Sequence, residues 1–159
     1  MKDDVKLRTC LWFDSTALPA AEFYCSLFPG SRIERVERYP EGNAMAEPGE
    51  VAGVDFTLAG APYQAINGGD RFELDEAVSI SVATEDQAET DRLWAALTAE
   101  GGAESQCGWL KDRFGLSWQI VPQRATELMY GPHAAEVWPV LLQMTKIDVG
   151  VLEAAAQGR

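Results

Sequence analysis

The sequence has little of what several kinds of catalytic and stabilising sites require. It contains one histidine, His133, so any mechanism that needs two or three imidazoles is excluded. The three cysteines, Cys10, Cys25 and Cys107, form no C-x-x-C pair, and their odd number argues against a disulfide framework. We therefore expect three reduced thiols.

Positive charge is also scarce. Thirteen Lys and Arg residues face 25 Asp and Glu residues, which gives a formal charge of −12. An acidic surface repels a phosphate backbone and gains nothing from anionic lipid, so neither nucleic acid nor membrane is expected as a partner. The first apolar stretch contains Arg8 and ends at Asp14, too short and too charged for a signal peptide or a membrane span. A cytoplasmic location is the resulting expectation.

The remaining composition is that of an ordinary globular chain. Its 159 residues are 47% hydrophobic and 24% charged, enough for one domain over 1–159 without a metal or disulfide staple.

Hydrophobic periodicity predicts a repeated order of elements. The first copy has a strand at 7–14 and a helix at 17–28 capped by Ser15 or Thr16. A charged strand at 32–39, exposed or at an edge, comes next, and after a loop at 40–50 there are two further strands up to Asn67. The second has a strand at 78–82, a helix at 86–100 with a Thr84/Gln87 capping box, and two or three short strands up to Pro122. Because large side chains occupy both faces of the first strand, we expect it to be central in its sheet, together with 78–82. Three short helices follow, at 127–130, 135–144 and 148–156.

Spacing supports an internal duplication. Phe13 and Val82 differ by 69 positions, and the helix ends at Pro29-Gly30 and Gly101-Gly102 by about 72. A shared G-x-x-aromatic-Gln motif occurs at 60–64 and 115–119, a step of 55. We predict an α+β fold of two βαβββ modules, 7–67 and 77–122, with a C-terminal helical extension over 124–157.

Four stretches resemble one protein family. They are Leu11-Trp12-Phe13-Asp14 with Ala21-Glu22-Phe23-Tyr24-Cys25-Ser26-Leu27-Phe28-Pro29, then Pro62-Tyr63-Gln64-Ala65-Ile66-Asn67-Gly68-Gly69, and then residues 106–122, which include Asp112-Arg113-Phe114-Gly115. Together they resemble the PhnB-like branch of the vicinal oxygen chelate superfamily, which also contains glyoxalases, extradiol dioxygenases and bleomycin resistance proteins. The resemblance runs from Leu7 to about Met144.

The resemblance implies paired modules whose curved sheets form an open cup, usually completed in a homodimer. Apolar residues at 135–156 also favour a homodimer, although they could instead pack on their own sheet. This branch is often labelled a 3-demethylubiquinone-9 3-methyltransferase domain. In metal-using relatives the ligands would fall at Arg8, Ala77, Gln64 and Gln119. A cation, a methyl group and two neutral amides are poor ligands for a transition metal, so no metal and no cofactor are predicted.

Several polar and aromatic residues are candidates for a ligand site on the strands. Each has a structural alternative: the glutamines could bond to neighbouring groups, the tryptophans could be core, and Cys107 could be a buried inert thiol. Asp14 and Asp112 could be turn or capping carboxylates, or one of them could act as a general base. The predicted ligand contacts are Arg8, Trp12, Gln64, Ser79, Cys107, Trp109 and Gln119.

These residues predict a domain that binds, and could transform, a small organic molecule in a metal-free cup. The ligand would be uncharged or weakly polar, with a singly charged anion still possible because of Arg8. Two alternatives stay open. One is a metal-dependent isomerase, lyase or dioxygenase of the same superfamily, and the other is a quinone methyltransferase, as the family label suggests. No glycine-rich loop with G-x-G-x-x-G spacing supports the second alternative.

Overall fold

The structure, a computed structural model, describes residues 6–158. Residues 1–5, which entered the targeting prediction, and Arg159 lie outside the described residues. The chain divides into two compact units, Met1–Leu74 and Asp75–Arg159. The predicted α+β class is confirmed, because each unit carries a βαβββ module with a mixed four-stranded sheet.

The first unit has the elements β1 (Thr9–Phe13), α1 (Ala17–Leu27), β2 (Arg32–Arg38), β3 (Val51–Leu58) and β4 (Ala61–Asn67). The strand order is β1-β4-β3-β2, in which β1 and β4 are parallel and the other pairs antiparallel. The charged strand β2 is at an edge, as predicted.

One face of this sheet is covered by α1. Alternation along the strands sends Leu11, Phe13 and Ala65 into the core, where Ala20 and Tyr24 of the helix are fully buried. The small alanines of α1 let its backbone approach the sheet closely. The other face of the sheet carries Cys10, Gln64, Asp55 and Arg35, and it holds the first group of candidate site residues.

The second unit repeats this plan and adds three helices. Its elements are β5 (Ser79–Thr84), α2 (Gln87–Thr98), β6 (Ala103–Glu104), β7 (Trp109–Lys111), β8 (Ser117–Pro122), α3 (Gln123–Met129), α4 (Ala134–Leu141) and α5 (Val149–Ala156). The sheet order is β5-β8-β7-β6, and β5 and β8 are parallel. A 3₁₀ turn at Ala99–Gly101 extends α2.

The C-terminal helices build their own apolar cluster beside Val121 of β8. Its buried members are Ala125, Leu128, Val137, Leu141, Ile147 and Leu152. Most of the apolar surface that the sequence offered for a dimer contact is therefore packed within the unit. Among the described residues, no helix is long and apolar enough to cross a membrane.

The expected central position of the first strands is wrong for both described sheets. β1 and β5 each form an edge, paired only with β4 and β8. The large side chains on both faces of β1 arise differently: Leu11 and Phe13 are under α1, whereas Arg8, Cys10 and Trp12 retain contact with solvent. Large side chains on both faces of a strand therefore do not show that it has a neighbouring strand at both edges.

The predicted step between the first strands is also corrected by the register. Cys10 pairs with Gln64 and Ser81 pairs with Gln119, so the first strands are related by 71 positions and the last strands by 55. The counterpart of Arg8 is then Ser79, and Ala77 lies in the turn before β5. Hydrophobic alternation has a period of two, so it could not separate a step of 69 from one of 71.

Helix caps differ from the prediction at both module helices. Asp86, not Thr84, caps α2 by accepting a hydrogen bond from the Glu89 backbone, while the Glu89 carboxylate accepts from the Glu85 backbone. At α1, Thr16 makes no side-chain cap, and Asn67 from the end of β4 accepts from the Ala17 backbone at 2.8 Å.

Candidate functional site

A polar row crosses the first sheet on the face opposite α1. Strand register places Cys10, Gln64, Asp55 and Arg35 side by side on β1, β4, β3 and β2. Arg8, the residue before β1, is two positions from Cys10 and reaches the same group through its bond to Asp55. The sequence had identified two members of this group, Arg8 and Gln64, but not Asp55.

Asp55 is the centre of this row. Its side chain is 9% exposed and its Oδ2 accepts from Arg8 at 2.7 Å and from Arg35 at 2.9 Å. The Gln64 side-chain amide donates to Asp55 Oδ1 at 3.1 Å. Two guanidinium groups thus neutralise a nearly buried carboxylate, as a charge in that position requires. The network fixes Gln64 with its N–H₂ group directed at Asp55.

The second sheet carries a corresponding row with different chemistry. Ser81, Gln119 and Trp109 are side by side on β5, β8 and β7. The Gln119 amide donates to the Ser79 hydroxyl at 2.9 Å. Trp109 therefore occupies the place that Asp55 has in the first sheet, and Ser79 takes the place of Arg8. An aromatic ring and a hydroxyl replace a buried ion pair.

Both glutamines present the same group after these bonds are made. Each uses its N–H₂ group within its own sheet, and among residues 6–158 neither side-chain carbonyl oxygen accepts a hydrogen bond. For Gln64 the assignment of oxygen and nitrogen follows from the partner, since the Asp55 carboxylate can only accept. The Ser79 hydroxyl can accept or donate, so it does not fix the Gln119 amide in the same way. Each sheet therefore offers one amide on its polar face, and in the first sheet its carbonyl oxygen is a fixed acceptor.

Trp12 is held by the loop that follows β4. Its indole N–H donates to the Gly69 carbonyl at 2.8 Å. The centroids of the Trp12 and Phe72 rings are 5.0 Å apart in a T-shaped arrangement. A methyl group on Gly68 would lie 2.3 Å from the Trp12 ring, so the glycine is required for this contact. The Gly68-Gly69 loop thus has a packing function, and Trp12 is a half-buried wall of the polar face.

Cys107 is not brought together with the other candidates. It lies in the turn before β7 with φ +55°, and its thiol is 3.6 Å from the Leu141 carbonyl oxygen of α4. The expectation that it shares a strand face with Trp109 is wrong, because β7 begins only at Trp109. This thiol is a contact to the C-terminal helices.

Neither of the other two thiols has the character of a nucleophile. Burial, and then the charge of Asp55, raise the pKa of the Cys10 thiol above its usual range. Burial and the nearby Glu34 raise the pKa of Cys25 in the same direction. A nucleophilic cysteine needs the opposite shift.

The positions that would hold a metal do not fit one. Arg8 is a cation engaged with Asp55, Gln64 and Gln119 are neutral amides, and Ser79 is the register counterpart of Arg8. No group of three His, Cys, Asp or Glu residues with metal-binding geometry occurs within residues 6–158. The only carboxylate in the first row, Asp55, already has two cationic partners.

The residues also give no cradle for S-adenosylmethionine of the kind found at glycine-rich turns. In both modules the only parallel strand pair is formed by the first and last strands, and the remaining pairs are antiparallel. A doubly wound parallel sheet, which places such a turn before a helix, is absent from residues 6–158.

The two other candidate acids have ordinary surroundings. Asp112 is 3% exposed and closes the β7–β8 turn by accepting from the Phe114 and Leu116 backbones and, at 2.8 Å, from the Trp118 indole. This is the turn role of the two that the sequence left open. Asp14 is exposed and borders a cavity of about 460 Å³ beside the 40–50 loop.

Comparison with known proteins gives one sequence family. Residues 5–121 match the family described as 3-demethylubiquinone-9 3-methyltransferase. No protein with a curated description matches the chain.

Two solved structures are similar to the chain over most of their own length. The PhnB protein from Bacillus cereus, whose name carries the same methyltransferase description, is 32% identical with a TM-score of 0.67, covering 74% of this chain and 99% of its own. A protein from Pseudomonas aeruginosa is 20% identical with a TM-score of 0.59, covering 72% and 94%, and shows the fold alone. The duplicated βαβββ order, the match over 5–121 and the identity to the Bacillus protein establish that this chain belongs to the PhnB-like, 3-demethylubiquinone-9 3-methyltransferase-like family.

Proposed function

We propose that the protein binds a small organic molecule, and could transform it, on the polar sheet faces that carry Gln64 and Gln119, without a metal. One observation carries the proposal. The two glutamines have equivalent register in the two modules, and each bonds to a neighbour in its own sheet through its N–H₂ group, which for Gln64 leaves the carbonyl oxygen as a fixed acceptor.

The surrounding residues fit such a ligand. Trp109 and Trp12 supply aromatic area beside these acceptors, and small-molecule sites commonly combine aromatic walls with a few fixed polar groups. Arg8 holds Asp55 in place and Ser79 holds Gln119, so both act as positioning residues. A hydroxyl or N–H donor on the ligand would meet Gln64 or Gln119.

Co-purification is the first test, with native mass spectrometry of the protein taken directly from cell extract. We expect a retained organic mass that is lost on denaturation. The variant on the face that holds the molecule, Gln64→Ala or Gln119→Ala, should reduce its occupancy about 5–10-fold, as expected for one lost hydrogen bond of 1–1.5 kcal/mol in a desolvated site. Gln143→Ala, an exposed amide in the α4–α5 connection, is the matched control. Occupancy unchanged in both glutamine variants would refute the proposed site.

The family label supports a quinone methyltransferase as a second candidate. Isothermal titration with S-adenosylmethionine decides between them, since methyl transfer requires that this cofactor bind. Saturable binding would favour the methyltransferase and would contradict the metal- and cofactor-free proposal.

We also propose a homodimer. The family resemblance supports it, and so do three apolar side chains of the C-terminal helices that stay exposed: Tyr130 at 75%, Leu142 at 55% and Val151 at 47%. Sedimentation velocity at about 10 μM should give twice the mass of the chain, and Leu142→Glu should shift it toward the monomer. A monomer for the unmodified chain at that concentration would refute the dimer.

A further inference from the structure

We infer that the second module has a subsite for a compact carboxylate, in which the carboxylate of the ligand replaces Glu76 on Lys111 and reaches the hydroxyl of Ser117. The inference rests on the proposed function and specifies the chemistry of its second face. It is carried by a cavity, a buried hydroxyl without a partner and an exposed ion pair that meet at one place.

The buried hydroxyl is the first observation. Ser117 is 1% exposed, and its Oγ has no hydrogen-bond partner within the described residues. A buried hydroxyl without a partner costs free energy, so such groups are uncommon in folded proteins. Its neighbour across the strands, Ser79, is engaged by Gln119 and leaves Ser117 unsatisfied.

The cavity is the second observation. Ser117 lines a space of about 200 Å³ together with Glu76, Ser105, Trp109 and Lys111. A water molecule takes about 30 Å³ of liquid volume, so the space is equivalent to about seven waters. That suits one six-membered ring with a short polar substituent, and the indole of Trp109 offers a surface on which a ring could stack.

The ion pair gives the ligand its charge. Lys111 is the register neighbour of Ser117 on β7, and its ammonium is 2.8 Å from a Glu76 carboxylate oxygen. The Glu76 side chain is 68% exposed, and the hydrogen bond from Lys111 lowers the pKa of its carboxyl group. An exposed pair of this kind contributes little stability, so another carboxylate can displace Glu76 at small cost.

The other acid at the cavity does not oppose this exchange strongly. Glu104 accepts a hydrogen bond from the Trp94 indole at 2.6 Å, which turns its carboxylate toward α2. Lys111 is then the cation that an entering carboxylate meets, and Ser117 donates the second hydrogen bond. Glu76 therefore acts as an internal competitor for the ligand.

Benzoate is the probe, because it is ionised at pH 7 and combines one ring with one carboxylate. The readout is the Trp109 indole N–H resonance in ¹⁵N-labelled full-length protein, assigned with Trp109→Phe, during titration at fixed ionic strength. We expect saturable shifts with a Kd on the order of 1 mM, as small ligands of this size allow. Benzamide, the neutral isostere, should bind at least about 5-fold more weakly if the charge is recognised.

The variants separate the roles of the three residues. Glu76→Gln should strengthen benzoate binding about 2–5-fold by removing the competitor, whereas Glu73→Gln, the same change in the same loop but away from the cavity, should leave it unaltered. Ser117→Ala should weaken it about 5-fold, and Ser26→Ala, at an exposed serine of α1, is the control expected to leave it unaltered. Glu76→Gln changes only an exposed side chain, so the test does not depend on variants that could disturb folding.

The outcomes also distinguish this inference from the proposed function. The inference is overturned if benzoate gives no saturable Trp109 shift up to about 50 mM, if benzamide binds equally well, or if Glu76→Gln leaves the affinity unchanged. Loss of the co-purified molecule in Gln119→Ala together with any of these results would retain the proposed function and remove the carboxylate subsite.

Discussion

Asp55 is the charged residue on which the polar face of the first sheet most depends. Replacing it with Asn keeps the shape but leaves the partly buried Arg8 guanidinium, whose side chain is 25% exposed, without its carboxylate. We expect the free energy of unfolding to fall by about 2–3 kcal/mol in urea titrations, below the range for a fully buried pair because Arg8 retains water. Glu37→Gln, which removes an exposed partner of Arg35, should cost less than about 1 kcal/mol. Equal losses would show that burial does not decide the outcome.

The chemistry of Cys10 should report the same network. Iodoacetamide reacts with the thiolate, so the rate of alkylation rises as Cys10 ionises. Because the pKa of Cys10 is raised in the folded protein, the midpoint of this rise should lie at a higher pH than in the protein unfolded in urea. Because the folded pKa exceeds the unfolded one, this group also costs stability as the pH rises from the unfolded pKa through the folded one. Site-resolved mass spectrometry measures the rates. Asp55→Asn should lower the midpoint without bringing it to the unfolded value, since burial is the larger cause.

The two glutamines could be predicted from the sequence, whereas Asp55, which orients Gln64, could not. Gln64 and Gln119 share a local motif, which is visible in one dimension. Asp55 looked like an ordinary polar residue of an alternating strand, because its partners come from elsewhere in the chain: Arg35 from β2, Gln64 from β4 and Arg8 from the residue before β1. The role of the buried Asp55 carboxylate can be inferred only when its partners from other parts of the chain are known.

The start of α2 is a test at the scale of one element. Asp86→Ala removes the side-chain acceptor of the Glu89 backbone N–H and should lower the free energy of unfolding by about 1 kcal/mol. Glu85→Ala is the matched control, with the same loss of charge beside the helix but no cap, and should change stability by less than about 0.5 kcal/mol. Thermal unfolding of both variants at one pH measures the difference. A larger loss from Glu85→Ala would contradict the observed cap.

The kinds of elements were predictable, whereas their caps and register were less so. Periodicity and the Pro-Gly and Gly-Gly stops gave the strands and helices in the right order. The cap of α1 could not be found locally, because its acceptor Asn67 is 50 positions from Ala17 in sequence. The edge position of β1 likewise depends on which strands pair, and the amphipathic pattern of a single strand does not specify that.

At the scale of the whole molecule, duplication explains why two unlike faces carry equivalent glutamines. Both modules have the same strand order, and the parallel β1–β4 and β5–β8 pairs place Gln64 and Gln119 at equivalent positions. The neighbours then differ: Asp55 with two arginines in one module, Trp109 with serines in the other. This difference is the physical basis for expecting that the two faces differ in their affinity for a ligand.

The charge of −12 should make the folded chain more stable in salt. Like charges repel across a compact surface, and raising NaCl from about 20 to about 300 mM shortens the Debye length from roughly 20 Å to roughly 6 Å. The exposed ion pairs lose some strength under the same change, but each contributes little, so we expect Tm to rise by about 2–5 °C. KCl should act as NaCl does, because screening is independent of the cation. A fall of Tm in NaCl would show that the ion pairs outweigh the net repulsion.

Zn²⁺ or Mn²⁺ at about 50 μM should not change Tm further, since the positions equivalent to metal ligands are an arginine, a serine and two amides. A rise of Tm specific to either ion would show that a transition-metal site exists.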